Sequence, residues 1–260
     1  MGKRPWEYYN LPPPKSEASK GPLSLVDWEI FSGLEVPTLP FWVRLDGWGF
    51  HTLAEKLQKP YDKNFAKILV GIAKDLMQMF NAQLAYIFSD EINLLFTHFT
   101  AFRRVEKIDS VFAGIASARF SLTWKTPCAF DCRVIPVPKG KILSYLQWRQ
   151  AECFRNHNNA WAYWLLRQAG LSARQATDFL EGLKTQHLVK LCRACGKNLS
   201  KTQTWQRQGI MLYWKKYKKS GWNPIKKKRV VAQRRRVVIE WNPPNFTKNR
   251  WLIKELLSDI

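Results

Sequence analysis

Two aspartates of this chain stand where it turns out of an apolar strand. The run Phe41–Asp46 (FWVRLD) is stopped by Gly47, and Asp90 lies in the short segment Ser89–Glu91 between two apolar stretches. Carboxylates are the hard oxygen ligands that Mg²⁺ prefers. Two such ions stabilise both the attacking and the leaving oxygen of a phosphoryl transfer. We therefore expect Asp46 and Asp90 to bind two Mg²⁺ ions, with the Gly47 carbonyl as a further ligand.

The residues next to the aspartates extend this site. Glu91 is expected to act in catalysis, either by supporting the metal ligands or by contacting a metal through water. The segment after Asp46 is expected to form a turn whose N–H groups bind a triphosphate; its members are Gly47, Trp48, Gly49, Phe50 and His51. The alternative is structural, since lone aspartates at strand ends are often turn formers or helix caps.

The elements around the aspartates follow the order strand, helix, strand, strand, helix, strand. Apolar periodicity predicts strands at 41–46, 84–88, 92–96 and 129–137, and helices from about Asp62 to Phe80 and near Phe102–Arg119. This is the split βαββαβ (ferredoxin-like) unit of the α+β class, an antiparallel sheet with both helices on one face. In such a sheet the end of the first strand lies beside the hairpin of the second and third. Asp46 and Asp90 are therefore expected to converge.

The rest of the chain is predicted to be helical first, at Ile142–Gln168 and Ser172–Leu183, and after Lys190 to form two strands, Gly209–Lys216 and Arg236–Trp241, on either side of a basic loop. Short helices are expected near Leu23–Phe31 and at Asn249–Ile260. Four parts follow from this pattern: an irregular arm at 1–40, a catalytic domain at 41–140, a helical and β-hairpin part at 141–219, and a basic extension at 220–260.

Positive charge is concentrated near the C-terminus. The formal net charge is +22, and residues 201–260 alone hold 16 Lys and Arg against 3 Asp and Glu. A basic segment that also contains aromatic residues is typical of a nucleic-acid surface. The aromatic residues are Trp205, Tyr213, Trp214, Tyr217 and Trp222. RNA contact is the favoured interpretation, and a basic hairpin with core tryptophans is the alternative.

The composition argues against several other classes. The chain has no apolar run of membrane-spanning length and no signal-peptide core, so we expect a cytoplasmic protein with no membrane partner. Its five cysteines do not indicate a disulfide framework, and Cys192 and Cys195 are too few for a zinc site by themselves. His157 is as consistent with a structural role as with RNA binding.

Five motifs occur in an order that resembles the tRNA-histidine guanylyltransferase family, including its archaeal and bacterial "like" branch. The resemblance covers about residues 41–216. The motifs are Arg44-Leu45-Asp46-Gly47-x-x-Phe50-His51, Lys59-Pro60-x-Asp62, Ser89-Asp90-Glu91, Phe130-Asp131-x-Arg133-Val134 and Trp148-Arg149-Gln150-Ala151-Glu152.

This resemblance implies a palm domain that adds a nucleotide, preferably from GTP, to the 5′ end of tRNA in the 3′→5′ direction. It implies that the 5′ phosphate is first activated with a nucleoside triphosphate such as ATP. Asp46, Gly47 and Asp90 match the metal ligands of the family. Asp46–His51 and Ser89-Asp90 match its nucleotide-binding loops, and Lys59 and Asp62 match polar contacts to the nucleotide. A homodimer or homotetramer is also implied.

Two departures and two alternatives accompany the resemblance. Trp48 replaces a residue that is usually polar or basic, and the run Phe154–Asn159 (FRNHNN) is closer to the "like" branch. Repair of truncated 5′ ends is therefore expected in preference to strict histidine-tRNA specificity. The main alternative is a non-catalytic basic RNA-binding protein. A palm enzyme that makes a cyclic nucleotide or a signalling dinucleotide ranks below it.

Overall fold

The computed structural model describes residues 29–50, 53, 57–225 and 227–249. The strands are β1 (Phe41–Trp48), β2 (Leu84–Phe88), β3 (Glu91–Phe96), β4 (Ala129–Pro136), β5 (Ile210–Asn223) and β6 (Lys228–Glu240). The helices of more than three residues are α1 (Lys63–Phe80), α2 (Val105–Trp124), α3 (Ile142–Gln168), α4 (Ala173–Leu180), α5 (Thr185–Ala194) and α6 (Thr204–Gln208). The strands form one six-stranded antiparallel sheet in the order β4-β1-β3-β2-β5-β6.

The central strand β1 is covered on both faces because its side chains alternate between two clusters. Phe41, Val43 and Leu45 enter the core beneath α1 and α2, whereas Trp42 packs in the cluster beneath α3. Asp46 shares the α3 face with Trp42, since side chains two residues apart point to the same side of a strand. The strand thus delivers a carboxylate to the rim of a buried sheet.

Helices α1 and α2 cover one face of the sheet, as predicted. Asp62 caps α1 by accepting hydrogen bonds from the backbone N–H groups of Asn64 and Phe65, at 2.7 and 3.0 Å. Helix α2 begins at Val105 rather than near Phe102, because Arg104 forms a β-bridge with Glu35 and keeps the preceding chain extended. The βαββαβ order and the α+β class are confirmed.

Helix α3 covers the other face of the sheet over the predicted bounds. Tyr145 stacks on Trp42 with ring centroids 4.7 Å apart, and Leu146 and Cys153 pack in the same cluster. The helix also contains a buried arginine, Arg149, whose ion-pair partner is described below. The sheet is therefore enclosed between α1 and α2 on one side and α3 on the other.

The two strands predicted after Lys190 are present, and both are longer than predicted. The first, predicted at Gly209–Lys216, is β5 (Ile210–Asn223), and the second, predicted at Arg236–Trp241, is β6 (Lys228–Glu240). Most of the predicted basic loop between them belongs to the strands, because the two strands pair with each other along this length. Before β5 the chain passes through helix α5, a 3₁₀ turn at Leu199–Lys201 and helix α6, and helix α5 buries Leu188 and Cys192 against α3.

Strands β5 and β6 form a long hairpin that is continuous with the palm sheet. Only Ile210–Tyr213 of β5 pair with β2, and the remaining residues pair with β6 alone. Ten residues at about 3.3 Å each make a projection of roughly 30 Å. The predicted boundary between 219 and 220 falls inside β5. Nearly all of the helices predicted at Asn249–Ile260 and at Leu23–Phe31 lie outside the described residues.

Candidate active site

Asp46 and Asp90 meet at one end of the sheet. In the β1–β3 pairing Asp46 lies opposite Glu91, the residue next to Asp90. The N–H of Gly47 donates a hydrogen bond to the carbonyl of Asp90 at 3.2 Å. The turn between β2 and β3 contains only Ser89 and Asp90, because β3 already begins at Glu91. The predicted convergence of the two aspartates is confirmed.

The carboxylate of Asp46 lies between two guanidinium groups. Its Oδ2 atom is 3.1 Å from Nε of Arg44 and 3.3 Å from Nη2 of Arg133. Arg133 also binds Asp131, which lies opposite Asp46 in the β1–β4 pairing, at 2.7 Å. A cation that binds Asp46 therefore competes with these arginines.

Asp90 has an environment that disfavours its charged form. Burial raises the pKa of its carboxyl above the ordinary value, and the negative charges of Asp46 and Asp131 raise it further. Hydrogen bonds from its own backbone and from Ser89 act in the opposite direction but do not offset the burial. A bound divalent cation would reverse this balance, because an adjacent positive charge favours the carboxylate.

Glu91 is fully engaged by protein groups. Arg149 donates to Oε1 from Nε at 2.8 Å and to Oε2 from Nη2 at 2.6 Å, and Asn93 donates to Oε1 at 2.7 Å. The Tyr145 hydroxyl in turn donates to Asn93 at 2.6 Å. Burial raises the pKa of Glu91 and the Arg149 hydrogen bond opposes it. The geometry places Glu91 as a link between the sheet and α3.

The segment after Asp46 is more extended than predicted. Gly47 and Trp48 belong to β1, and the turn comes at Gly49, whose φ is +69°. The side chain of Phe50 returns to the core and packs against rings of both helices and β4. Trp48 is 72% exposed. His51 lies outside the described residues.

Gly47 is required by the return of Phe50. A Cβ atom at this position would lie 2.6 Å from the Phe50 ring, far inside van der Waals contact. Because Phe50 is buried, its ring has little room to move. The glycine beside Asp46 therefore has a packing reason, apart from any ligand.

A cavity of about 410 Å³ opens beside the aspartate turn. Of the residues that the sequence predicts for nucleotide binding, those that line it are Phe50, Lys59, Asp62, Ser89 and Asp90. Burial pushes the pKa of Asp62 upward, but three backbone N–H donors outweigh it and lower the pKa. Asp46, Gly47, Trp48 and Gly49 are not part of the cavity wall; the first three belong to the neighbouring end of β1, and Gly49 belongs to the turn that follows it.

The far wall of the cavity does not follow from the sequence motifs. It consists of residues from α3, α6 and the segment before α1, chiefly Tyr61, Asn156, Asn159, Trp205 and Gln206. Tyr61 contacts Trp205 edge to face with centroids 5.8 Å apart. Cys153, Asn156 and Ala160 are three and four residues apart on α3, so they lie on one face of the helix. This spacing would have indicated the wall if the position of α3 on the sheet had been known.

His157 has a structural environment. It is buried, and its two ring nitrogens lie 3.0 Å from Asn158 Oδ1 and 2.9 Å from the Thr202 hydroxyl. Burial lowers its pKa to about 4, so the ring is neutral at physiological pH. This agrees with the structural alternative.

The hairpin places like charges directly opposite each other. Lys215 pairs with Arg236 and Lys216 with Arg235, and such cross-strand pairs are destabilising. Tyr217 and Trp222 are 41% and 63% exposed, whereas Trp205, Tyr213 and Trp214 pack against the sheet clusters. Trp205, Tyr213 and Trp214 thus agree with the core interpretation, whereas Tyr217 and Trp222 are exposed and RNA contact by them stays a prediction.

Two absences among the described residues bear on partners. No helix there is both long and apolar enough to cross a bilayer. Within the same ranges, no three His, Cys, Asp or Glu side chains are grouped so as to hold a metal ion. Asp46 and Asp90 supply two carboxylates, so a full Mg²⁺ coordination shell requires backbone, water or substrate oxygens as well.

A split βαββαβ sheet with carboxylates at the end of its first strand and on its central hairpin defines a palm-type domain. Comparison with known proteins agrees. Residues 31–138 match the family model described as tRNAHis guanylyltransferase, and residues 140–243 match that of the Thg1 C terminal domain. The chain belongs to the tRNAHis guanylyltransferase family.

Relatives and solved structures support this assignment. A probable tRNA(His) guanylyltransferase of Homo sapiens is 31% identical over 191 residues, which is 67% of this chain and 64% of that protein. A Bos taurus relative is 29% identical over 76% of this chain and 74% of its own length. A bacterial tRNA(His) guanylyltransferase-like protein in complex with GTP superimposes with a TM-score of 0.66 at 25% identity, covering 89% of this chain and 96% of that one.

The matches to other relatives are partial. The chain spans 30% of the length of tRNA(His) guanylyltransferase 2 of Arabidopsis thaliana, at 30% identity over 57% of this chain. The tRNA(His) guanylyltransferase of Saccharomyces cerevisiae shares the fold, with a TM-score of 0.61 at 23% identity over 68% of this chain and 88% of that one.

Proposed function

We propose that this protein adds a nucleotide, with GTP preferred, to the 5′ end of tRNA in the 3′→5′ direction. The observation that carries the proposal is the meeting of Asp46 and Asp90 beside a cavity of nucleotide size. The names of the relatives and the ATP and GTP bound to the bacterial structures support a nucleotide as substrate.

The donor set suits Mg²⁺. Asp46, Asp90 and the carbonyl of Gly47 are hard oxygen donors at one strand end, and two carboxylates with substrate phosphates are a common way to bind this ion. When bound, Mg²⁺ neutralises the charge that develops on the transferred phosphoryl group and orients it.

The proposed reaction has two steps. The tRNA 5′ phosphate attacks the α-phosphorus of a nucleoside triphosphate, and pyrophosphate leaves. The 3′ hydroxyl of the incoming nucleotide then attacks the activated 5′ phosphorus, loses its proton, and the nucleoside monophosphate leaves.

The side chains of this chain hold the reactants for both steps. Lys59 lines the cavity, where an ammonium group binds phosphate oxygens. The guanidinium groups of Arg44 and Arg133 are already drawn to the site by Asp46 and stabilise an anionic substrate beside it. Glu91 positions the Asp90 turn through Arg149 and takes no part in proton transfer.

The basic hairpin of β5 and β6 is proposed to hold the phosphate backbone of the tRNA. The repulsion between its opposed Lys and Arg side chains decreases when a polyanion lies along them. The counterions that the RNA releases also favour binding. Such contacts position the RNA without reading its sequence. Assembly into a dimer or tetramer stays a prediction.

The test is incubation of the protein with 5′-truncated tRNAs and each nucleoside triphosphate, with and without Mg²⁺. Asp46→Asn and Asp90→Asn are expected to abolish addition while RNA affinity is retained. Asp75→Asn is the matched control, since Asp75 lies on α1 in an exposed ion pair with Arg119, away from the aspartate turn. RNA binding with no addition by the unaltered protein would support the non-catalytic alternative instead.

A further inference from the structure

Helix α3 carries an exposed tryptophan, Trp148. The guanidinium of Arg149 lies over its ring, with Cζ 4.4 Å from the ring centroid, and the ring of Tyr145 contacts it at a centroid distance of 5.8 Å. These two neighbours hold the ring from the protein side, and Trp148 is still 51% exposed. A fixed aromatic ring with open surface is the kind of group on which a nucleobase stacks.

The contact with Arg149 places this ring near the aspartates. Arg149 binds the Glu91 carboxylate through two hydrogen bonds, and Glu91 lies opposite Asp46 in the β1–β3 pairing. Residues directly opposite each other in an antiparallel pair have Cα atoms about 4.5–5.5 Å apart. Trp148 is therefore separated from Asp46 by two side chains, those of Arg149 and Glu91.

The contact with Tyr145 places the ring near positive charge. The Tyr145 hydroxyl donates to Asn93, which lies opposite Arg44 in the β1–β3 pairing. Arg44 and Arg133 lie opposite each other on β1 and β4, and both contact the Asp46 carboxylate. Guanidinium groups bind phosphate oxygens. An aromatic ring for a base and two cations for phosphates thus lie around one carboxylate.

The same side of α3 leads from Trp148 to the cavity. Trp148, Glu152 and Asn156 are four residues apart, so they lie on one side of the helix, and Asn156 lines the cavity. The Glu152 carboxylate is paired with Arg155, which limits its repulsion of an anion. A rise of 1.5 Å per residue places Asn156 about 12 Å along the helix from Trp148. A nucleotide in the cavity and a base on Trp148 therefore do not compete for the same space.

We propose that the exposed surface of Trp148 stacks on the base of the 5′-terminal nucleotide of the RNA and thereby holds its 5′ phosphate at Asp46 and Asp90. The inference rests on the proposed function, since it takes the aspartate turn to act on an RNA 5′ end. It adds the contact that recognises this end. Because every base has an aromatic face, such a contact binds the RNA without reading its sequence.

The experiment removes the base from the RNA and the ring from the protein in turn. Dissociation constants are measured for a tRNA with an intact 5′-terminal nucleotide and for the same tRNA with an abasic one. We expect the unaltered protein to bind the intact RNA about tenfold more tightly, which is the size of effect that stacking of one base supplies. In Trp148→Leu this ratio should fall to about twofold or less. A structural role, such as support of Arg149, would instead weaken binding of both RNAs equally and leave the ratio at tenfold.

Three further variants make the comparison specific. Trp148→Phe keeps an aromatic face and should keep most of the ratio. Trp148→Gln gives the same test with a polar side chain if Trp148→Leu fails to fold. Phe179→Leu is the matched control, because Phe179 on α4 is exposed to a similar extent, 53%, and this variant should keep the full ratio.

Failure of this inference is distinguishable from failure of the proposed function. If the ratio stays at tenfold in Trp148→Leu, or if the unaltered protein does not distinguish the two RNAs, Trp148 does not stack on the terminal base and the proposed function stands. An unchanged ratio together with a lower mass of Trp148→Leu in sedimentation velocity would assign the ring to contact with a second copy of the chain. If the unaltered protein adds no nucleotide to any tRNA, the proposed function fails, and the ratio still decides the role of Trp148 from RNA binding alone.

Discussion

Arg149 on α3 donates two hydrogen bonds, of 2.8 and 2.6 Å, to the Glu91 carboxylate on β3. Both side chains are less than one-tenth exposed. Glu91 follows Asp90 along the chain and lies opposite Asp46 across the sheet. A helix on the outer face thus fixes the turn that carries one aspartate and the strand end that carries the other.

Breaking this pair should be costly, whereas replacing it whole should not. Arg149→Met leaves the Glu91 carboxylate buried without its counterion, and loss of about 3–5 kcal/mol in the free energy of unfolding is expected. The double variant Glu91→Gln, Arg149→Met should recover most of this loss. Urea unfolding measures both, and equal destabilisation of the single and double variants would contradict the buried-charge explanation.

The same double variant separates positioning from chemistry. If Glu91 only positions the Asp90 turn, kcat should fall while the KM for GTP changes little, and the Mg²⁺ concentration for half activity should rise. If Glu91 were instead a direct metal ligand, no neutral pair at positions 91 and 149 should restore activity. Glu91→Gln alone should then abolish the dependence of activity on Mg²⁺ concentration.

Ionisation of Asp90 should have opposite effects on activity and on stability: as the pH rises, activity should increase and the free energy of unfolding should decrease. Its folded-state pKa is raised, so the folded protein binds this proton more tightly than the unfolded chain. The resulting stabilisation is present below the ordinary value of 3.8 and is lost as the pH rises through the raised pKa. Asp90→Asn should therefore unfold at higher urea concentration than the unaltered protein at pH 7, although it is inactive. If Asp90→Asn instead unfolds at a lower urea concentration, the interactions of the Asp90 carboxylate stabilise the fold by more than its burial destabilises it.

The acid limb of the activity profile should report the same group. At Mg²⁺ concentrations well below saturation, addition is expected to increase with pH as Asp90 ionises, because protons then compete with Mg²⁺ for its carboxylate. Asp131→Asn removes one of the negative charges that raise its pKa, so the limb should move to lower pH. The shift should be modest, since burial is the larger cause. An unchanged limb would assign it to another group.

Gly47→Ala tests the close approach of Phe50. The added methyl group meets the buried ring at 2.6 Å, so a loss of about 1–3 kcal/mol is expected, together with much of the activity. Gly71→Ala in α1 is the matched control, because a Cβ there has nothing within 4 Å and should stabilise the helix by about 0.5–1 kcal/mol. Phe50→Leu should partly rescue the stability of Gly47→Ala, and no rescue would place the clash elsewhere.

The hairpin should account for much of the salt dependence of RNA binding. Replacing Lys215 and Lys216 by Gln should reduce the slope of log affinity against log salt by about one for each phosphate that is no longer neutralised. Activity at saturating RNA should persist. The control is Lys74→Gln, an exposed lysine on α1, and an equal effect of both changes would argue against a localised grip.

Much of the catalytic half is predictable because its signals are local. Alternation in β2 and β3, a helical period in α1 and the order of elements together require the end of β1 to lie beside the β2–β3 turn. The bounds of α3 are predictable as well, because residues at helical spacing are buried from Ile142 to Leu166, although Arg149, Gln150, His157 and Asn158 make the buried face partly polar.

The features that the sequence does not predict depend on contacts between distant segments. Nothing local to Arg149 shows that its partner is Glu91, 58 positions earlier. The burial of Leu188 and Cys192 on helix α5 likewise depends on the packing of α5 against α3, and the lengths of β5 and β6 depend on their pairing with each other. The far wall of the cavity exists only once α6 folds against α3.

Strand β2 has one further consequence. It ends at the Ser89-Asp90 turn and also pairs with β5, so the projecting hairpin and the aspartate turn belong to one continuous hydrogen-bonded sheet. An RNA held by the hairpin, as proposed above, would therefore be oriented relative to the aspartates by the backbone pairing of β2 with β5. The length and twist of the hairpin should then determine which part of a bound tRNA reaches the cavity.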